Sequence, residues 1–319
     1  MTNLDMTTEL NNNCTIKISP CCRKCSIQQA KVASSFAGLN ENQTQKAIKK
    51  AEDVLEESKH KPLLVQHVVR RVADTIIEEK GLPPFHDIYR DVKEISNNLA
   101  QKFSPRLSEK LKSHKNPFEF GLQLAAAGNI IDFGAKDYRD FNLEHELNNM
   151  ENTSFDHYDI DTLKLSLSRA SHMLLICDNC GEIVFDMLLL DVIKEHYPDL
   201  KITAAFRDKP VLNDATVNDA RAVGFDKIVP IMSSGSLYPG TVLPETSAEF
   251  KKLYDSVDII LSKGQGNFET LLPGSDERIF FILKIKCDYM ADLSGVKCDS
   301  LVLMQGGNRP SGRNKDISE

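Results

Sequence analysis

Apolar positions recur at helical spacing through the first half of the chain. QQAKVASSFA (28–37), QTQKAIKKAEDVLEESKH (43–60), LVQHVVRRVADTIIEEK (64–80), DIYRDVKEISNNLAQKF (87–103) and FEFGLQLAAAGNIIDFG (118–134) each carry aliphatic residues three or four apart, which predicts five helices. The breaks fall at Pro62, Gly81-Leu82-Pro83-Pro84, Pro105 and Pro117, where backbone chemistry interrupts a helix. Asn40 is placed to cap the second helix and Asn116 the fifth, with Pro117 at its first position. From about residue 172 the period changes. HMLLIC, KITAAF, KIVPIM, DIILSK and SLVLMQ read as strands. IVFDMLLLDVIKEHY, DATVNDARAVG and ETSAEFKKLYDS read as the helices between them, and FFILKIKC (280–287) fits either state. Strands alternating with helices predict a parallel sheet covered on both faces.

The fold class is therefore α/β: an N-terminal helical domain packed on a Rossmann-like parallel-sheet domain. The expected divisions are a tail over 1–14, the helical domain over 15–155, the sheet domain over 156–310 and a second tail over 311–319. The segment NNMENTSFDHYDID (148–161) is expected to connect the two halves.

Composition narrows the function. Of 319 residues, 41% are hydrophobic and 27% charged, ordinary for a chain with a sizeable core. A net charge of −7 argues against nucleic acid as a partner, because a phosphate backbone favours basic faces. No apolar run reaches the roughly 18 residues of a membrane span, and the polar start MTNLDMTTELNNNC lacks the pattern of a secretory leader. A cytoplasmic protein with no membrane partner is expected. The eight cysteines (Cys14, Cys21, Cys22, Cys25, Cys177, Cys180, Cys287 and Cys298) would then be thiols or metal ligands.

The candidate chemistry sits at the strand ends, where open parallel sheets bind ligands. HMLLIC ends in Asp178-Asn179, able either to hold a divalent cation or to cap the next helix. The start of that helix, near Glu182 and Ile183, offers amides to an anion. KITAAF is followed by Arg207, Asp208, Lys209, Asn213 and Asp214; DIILSK is followed by Gly264, Gly266 and Asn267, after Lys263. Hard oxygen ligands suit magnesium, manganese, cobalt or nickel. Lysine suits phosphate, and glycines expose backbone amides. Together these predict a metal-dependent site for a phosphorylated small molecule. The turn GQGN lacks both the dinucleotide and the P-loop spacing. Cys180 stands where a haloacid-dehalogenase phosphatase would carry its second Asp.

CDNCGEIVFD, KPVLNDAT, SKGQGNFETL and AAAGNIIDFG, in spaced order over residues 15–306, resemble the damage-control phosphatase family, also called the ARMT-like metal-binding domain family. The match is to its prokaryotic subfamily, which opens with Pro-x-Cys-x-x-Cys, here Pro20 to Cys25. The resemblance implies a divalent-metal-dependent hydrolase of phosphate monoesters of damaged or surplus metabolites, such as sugar phosphates or nucleotide-related phosphates. It implies Asp178, Asn179 and Asp214 as metal ligands and Lys263 as the phosphate contact, with the amides of Gly264 to Asn267 beside it. Gln265 and Glu269 replace an Asp and an Arg of eukaryotic members, so those members' substrates do not transfer, and protein carboxyl methylation has no support. Glu182 is either a catalytic carboxylate or a first-turn helix acid. Asn129 and Asp132 either line a cleft or end a helix, and the resemblance favours the cleft, as substrate-binding residues with Arg207. Asp186 reads as supporting or structural, and Thr216 with Asp219 as a helix start. Cys22 and Cys25, with Cys287 as the resemblance implies, form either a thiol cluster or a second metal site. The alternative function is a non-catalytic protein that binds metal and a phosphometabolite on the same scaffold. Neither the physiological metal nor the oligomeric state follows from the sequence.

Overall fold

A strand with apolar residues on both faces must be covered on both, and the strand over 172–176 meets this condition. Met173 to Ile176 are wholly buried, with parallel neighbours on each side. The computed structural model describes residues 18–127 and 154–307. The expected tails, Cys14, Asn129 and Asp132 lie outside the described residues.

The helices are α1 (Pro20–Phe36), α2 (Glu41–Glu57), α3 (Val65–Glu79), α4 (Arg90–Ser113) and α5 (Pro117–Ala127). Then come β1 (Phe155–Tyr158), α6 (Ile160–Arg169), β2 (His172–Ile176), α7 (Glu182–His196), β3 (Lys201–Phe206), α8 (Val217–Ala222) and β4 (Ile231–Ser233). The chain continues through α9 (Ala248–Ser256), β5 (Ile259–Lys263), α10 (Gln265–Leu271), β6 (Ile279–Lys284), α11 (Asp288–Ser294) and β7 (Leu301–Gln305). Local chemistry explains several boundaries. Ser19 caps α1 with Pro20 in its first turn, and Asn40 with Gln43 closes a capping box on α2. Thr216 and Asp219 do the same at α8.

The sheet order is β1-β7-β6-β5-β2-β3-β4. The pairings among β6, β5, β2, β3 and β4 are parallel, but β6 and β7 are antiparallel and β1 follows β7. The sheet is therefore mixed rather than wholly parallel. The ambiguous FFILKIKC resolves as β6 across Ile279–Lys284. The strand read over KIVPIM is only Ile231–Ser233, because a 3₁₀ turn at Phe225–Lys227 and Pro230 occupy the start. The expected connector holds β1 and the beginning of α6, so a boundary at 155/156 would fall inside a strand. Helix α4 runs through Pro105 instead of stopping there.

Three apolar clusters organise the packing. One sheet face packs with α4 through α8, including Leu107, Phe120 and Leu122 of the first half. The other face packs under α9, α10 and α11. Helices α1, α2 and α3 close a third cluster of their own around Ala47, Ala51, Val68 and Ile76. The chain progresses from β2 outward to β3 and β4, then returns to β5 on the opposite side. The crevice between the tips of β2 and β5 is the switch point of such a sheet.

Candidate functional site

Both sequence stretches singled out earlier arrive at that crevice. Asp178 and Asn179 leave the tip of β2, and Lys263 and Gly264 leave the tip of β5. Gly264 has φ +80°, and a Cβ there would lie 1.9 Å from Asp178 Oδ2. Only glycine lets the β5 turn sit against that carboxylate. Helix α7 starts at Gly181 with no side-chain cap, so neither Asp178 nor Asn179 serves as its cap. Instead Asn179 Nδ2 donates to Asp178 Oδ2 at 2.8 Å and to Glu182 Oε1 at 2.7 Å.

The third strand tip closes over the first. Asn179 and Asp214 form a bridge, Ala215 N donates to Asp178 O at 2.7 Å, and Cys180 N donates to Asn213 O at 2.9 Å. Beneath the acids lies Arg207, fully buried, with Nε donating to Asp214 Oδ2 at 2.7 Å and a terminal nitrogen 3.6 Å from Asp178 Oδ1. That terminal nitrogen has no hydrogen-bond partner. Lys263 is also buried. Its ammonium donates to Asp186 Oδ1 at 2.6 Å and lies 3.7 Å from Glu182 Oε2. Asn267 braces the turn through Lys263 O at 2.7 Å and accepts from Thr241 Oγ1 at 2.8 Å.

Electrostatics follow from this burial. Asp178, Glu182, Asp186 and Asp214 are buried carboxylates, and the buried cations among them are Arg207 and Lys263. With all four ionised, these carboxylates would outnumber the two cations by two charges, which an added divalent ion would balance. Burial pushes Glu182 and Asp214 up to about 7 and raises Asp178 and Asp186 as well. Burial works against the Lys263 ammonium, but Asp186 and Glu182 outweigh it and raise its pKa. Asp178, Asn179 and Asp214 offer two carboxylates and an amide oxygen, a hard donor set suited to magnesium or manganese. Among the described residues no group of three or more His, Cys, Asp or Glu side chains is arranged as a metal site. The oxygen set contains only two such side chains.

A cleft of about 340 Å³ opens above these acids. Asp178, Asn179, Asp214 and Gly266 line it, as do Cys22, Cys25 and Cys287. Glu182, Arg207, Lys263, Gly264 and Asn267 lie under the lining and not in it. Of the amides expected to meet an anion, Gly264 N donates to Ile282 O and Ile183 N to Asn179 O, and the neighbouring Gly181 N donates to Asn97 Oδ1 of α4. Burial raises the thiols of Cys22, Cys25 and Cys287, favouring the protonated form that does not ligate. Residues the sequence reading missed also face the cleft. Lys286 follows β6 and supplies a cation at the rim, while Gln66 of α3 donates to Glu269 Oε2 at 2.6 Å. Lys286 lies in the apolar-looking run FFILKIKC, where its alternation was the available signal. Gln66 carried none, because its partner lies 203 residues away.

The chain matches the model of the damage-control phosphatase ARMT1-like domain over residues 18–302. An uncharacterized protein of Methanocaldococcus jannaschii is 32% identical over 91% of this chain and 96% of its own length. A damage-control phosphatase of Pyrococcus horikoshii is 36% identical over 69% of this chain and 75% of its own, and one of Archaeoglobus fulgidus is 28% identical over 90% and 98%. A crystal structure of a DUF89 family protein from P. horikoshii superposes with a TM-score of 0.82 at 29% identity, covering 91% of this chain and 99% of that one.

Proposed function

Since the chain belongs to the damage-control phosphatase ARMT1-like domain family, we propose that it is a divalent-metal-dependent phosphatase acting on phosphate monoesters of small metabolites. The observation that carries this reading is the cluster of four buried carboxylates around two buried cations at the strand tips, directly beneath an open cleft. Asp178, Asn179 and Asp214 would hold one divalent ion. When bound, that ion supplies Lewis-acid charge against a phosphoryl oxygen.

The remaining steps belong to this chain's own side chains. Arg207 fixes Asp214 from below through its Nε. Lys263, locked between Asp186 and Glu182, orients Glu182 and contributes positive charge from beneath the site. Glu182, with a pKa of about 7, is poised to exchange a proton near neutral pH. Lys286 stands at the rim, where it can meet the phosphate from the cleft side. The Pro20-x-Cys22-x-x-Cys25 start supports placement in the prokaryotic subfamily, with the thiols as cleft-wall residues. Sugar phosphates and nucleotide-related phosphates are the substrate types to try.

The test is phosphate release from a panel of phosphorylated metabolites and p-nitrophenyl phosphate, after chelation and again with added magnesium, manganese, cobalt or nickel. Release restored by metal and absent from an Asp178→Asn protein supports the reading. Folded protein that binds a phosphometabolite but releases no phosphate with any of these ions overturns it in favour of a binding role.

A further inference from the structure

Helices α1 to α3 own a separate apolar core, and polar contacts from α3 help attach it to the rest of the molecule. A single stretch of α3 reaches three segments that follow strand tips. Gln66 bonds Glu269 after β5, His67 Nε2 lies 2.8 Å from Glu245 after β4, and Arg70 donates to Pro210 O after β3 at 2.9 Å. The third attachment stands out because the loop it grips, 207–214, ends in Asp214.

Leu212 is the apolar part of that grip. Half-buried, it packs against the α1–α3 cluster on one side and lines the cleft on the other. To do so it adopts φ +48°, a conformation that a bulky non-glycine residue takes only when its surroundings impose it. Strain held two residues from a candidate metal ligand points to function. The loop is pinned on both sides. Arg70 and Lys209 each sit over the Phe85 ring, at 5.3 and 5.8 Å. On the site side, Asp214 N donates to Val211 O, and Asn213 O accepts from Cys180 N. A small pocket of about 20 Å³ lies at this junction, lined by Ala30, Val72, Tyr89 and Leu212.

We propose that Leu212 is a positioning residue: by plugging into the α1–α3 core it couples docking of those helices to the placement of Asp214. The metal site is then complete only while α1–α3 is seated. This rests on the assignment of Asp214 as a metal ligand made above.

The test is a calorimetric titration of the intact, chelator-treated protein with manganese(II), alongside hydrolysis at saturating manganese. Leu212→Asn keeps a residue that tolerates positive φ but removes the plug. Leu212→Met keeps the plug, and Arg70→Gln loosens the same loop while leaving Leu212 in place. The expected result is a loss of about tenfold in manganese affinity for Leu212→Asn and for Arg70→Gln, the scale seen when groups orienting a ligand are removed. Leu212→Met should stay near wild type. For Arg70→Gln, whose residue lies outside the cleft lining, KM at saturating manganese should be unchanged, because the ion restores Asp214 once bound. A merely structural role would lower the active fraction or melting temperature and leave manganese affinity alone. If Leu212→Asn fails to fold, Arg70→Gln carries the same expectation. Wild-type affinity in both folded variants overturns the inference while leaving the metal reading intact. Wild-type protein that binds no manganese overturns both.

Discussion

At the scale of single residues, the site is a set of carboxylates deprived of water. Ionising one costs free energy unless positive charge arrives, and Arg207 and Lys263 supply only half of what four acids require. Asp178→Asn removes one buried charge and one proposed ligand. Hydrolysis should fall about a hundredfold or more, while the melting temperature of the metal-free protein holds or rises. A lowered melting temperature in calorimetry would show that Asp178 is structural. The pH dependence has a defined sign. Glu182 and Asp214 titrate near 7 when folded, against roughly 4 in an unfolded chain. Between those values the native state holds protons that the unfolded state has lost, so stability falls as pH rises from roughly 4 to 7. Glu245 and Asp276, where burial is outweighed by hydrogen bonds that lower them, act below that window. Metal-free protein should melt lower at pH 7.5 than at pH 5.5, by roughly 2–4 °C for each kcal/mol lost. Added divalent ion should flatten the difference, and an unchanged melting temperature across the two pH values would remove the buried-carboxylate account.

At the scale of elements, the sequence was most informative where local rules operate. The apolar run ending in Asp178-Asn179 marked the strand tip correctly, and Asn40, Ser19 and Thr216 start their helices for reasons visible within four residues. Long-range facts were not visible. Strand direction is set by partners, so β7 running against β6 left no local trace. FDHY is too short and too half-buried to show as β1. Lys263 reads as a phosphate lysine, and only its neighbours reveal that Asp186 and Glu182 hold it below the cleft. Pro105 breaks the usual rule, since α4 continues through it. The turn between β5 and α10 is the element most constrained by the site. Gly264→Ala would place a methyl 1.9 Å from Asp178 Oδ2 at φ +80°, with backbone strain of about 1–3 kcal/mol added to the clash. The variant should unfold at lower urea and lose hydrolysis together. Activity near wild type would mean the turn and Asp178 can move apart.

At the scale of the whole molecule, the division of cores matters more than the division of sequence. Helices α4 and α5 belong to the sheet's core, although they read as part of the helical half. Helices α1 to α3 do not. Amide exchange should therefore resolve two levels of protection. Amides of α2 and α3 should open at lower free energy than those of β2, β5 and β6, since separately cored units open independently. A single shared exchange level would contradict this. None of the helices among the described residues is long and apolar enough to cross a membrane.

The separate core of α1–α3 has a further consequence for the covalent chain. Among the described residues, the polypeptide passes between that unit and the sheet's core once, through the exposed stretch around Gly81, Pro83, Pro84 and Phe85. Severing it leaves each piece with its own apolar centre, with the three α3 attachments and the packing of Ile88, Tyr89 and Leu212 against the α1–α3 cluster as the means of reunion. Two separately expressed fragments, split at this stretch, are thus a natural pair for complementation. Their association constant would measure, as an intermolecular quantity, the strength with which the helical unit is seated over the cleft.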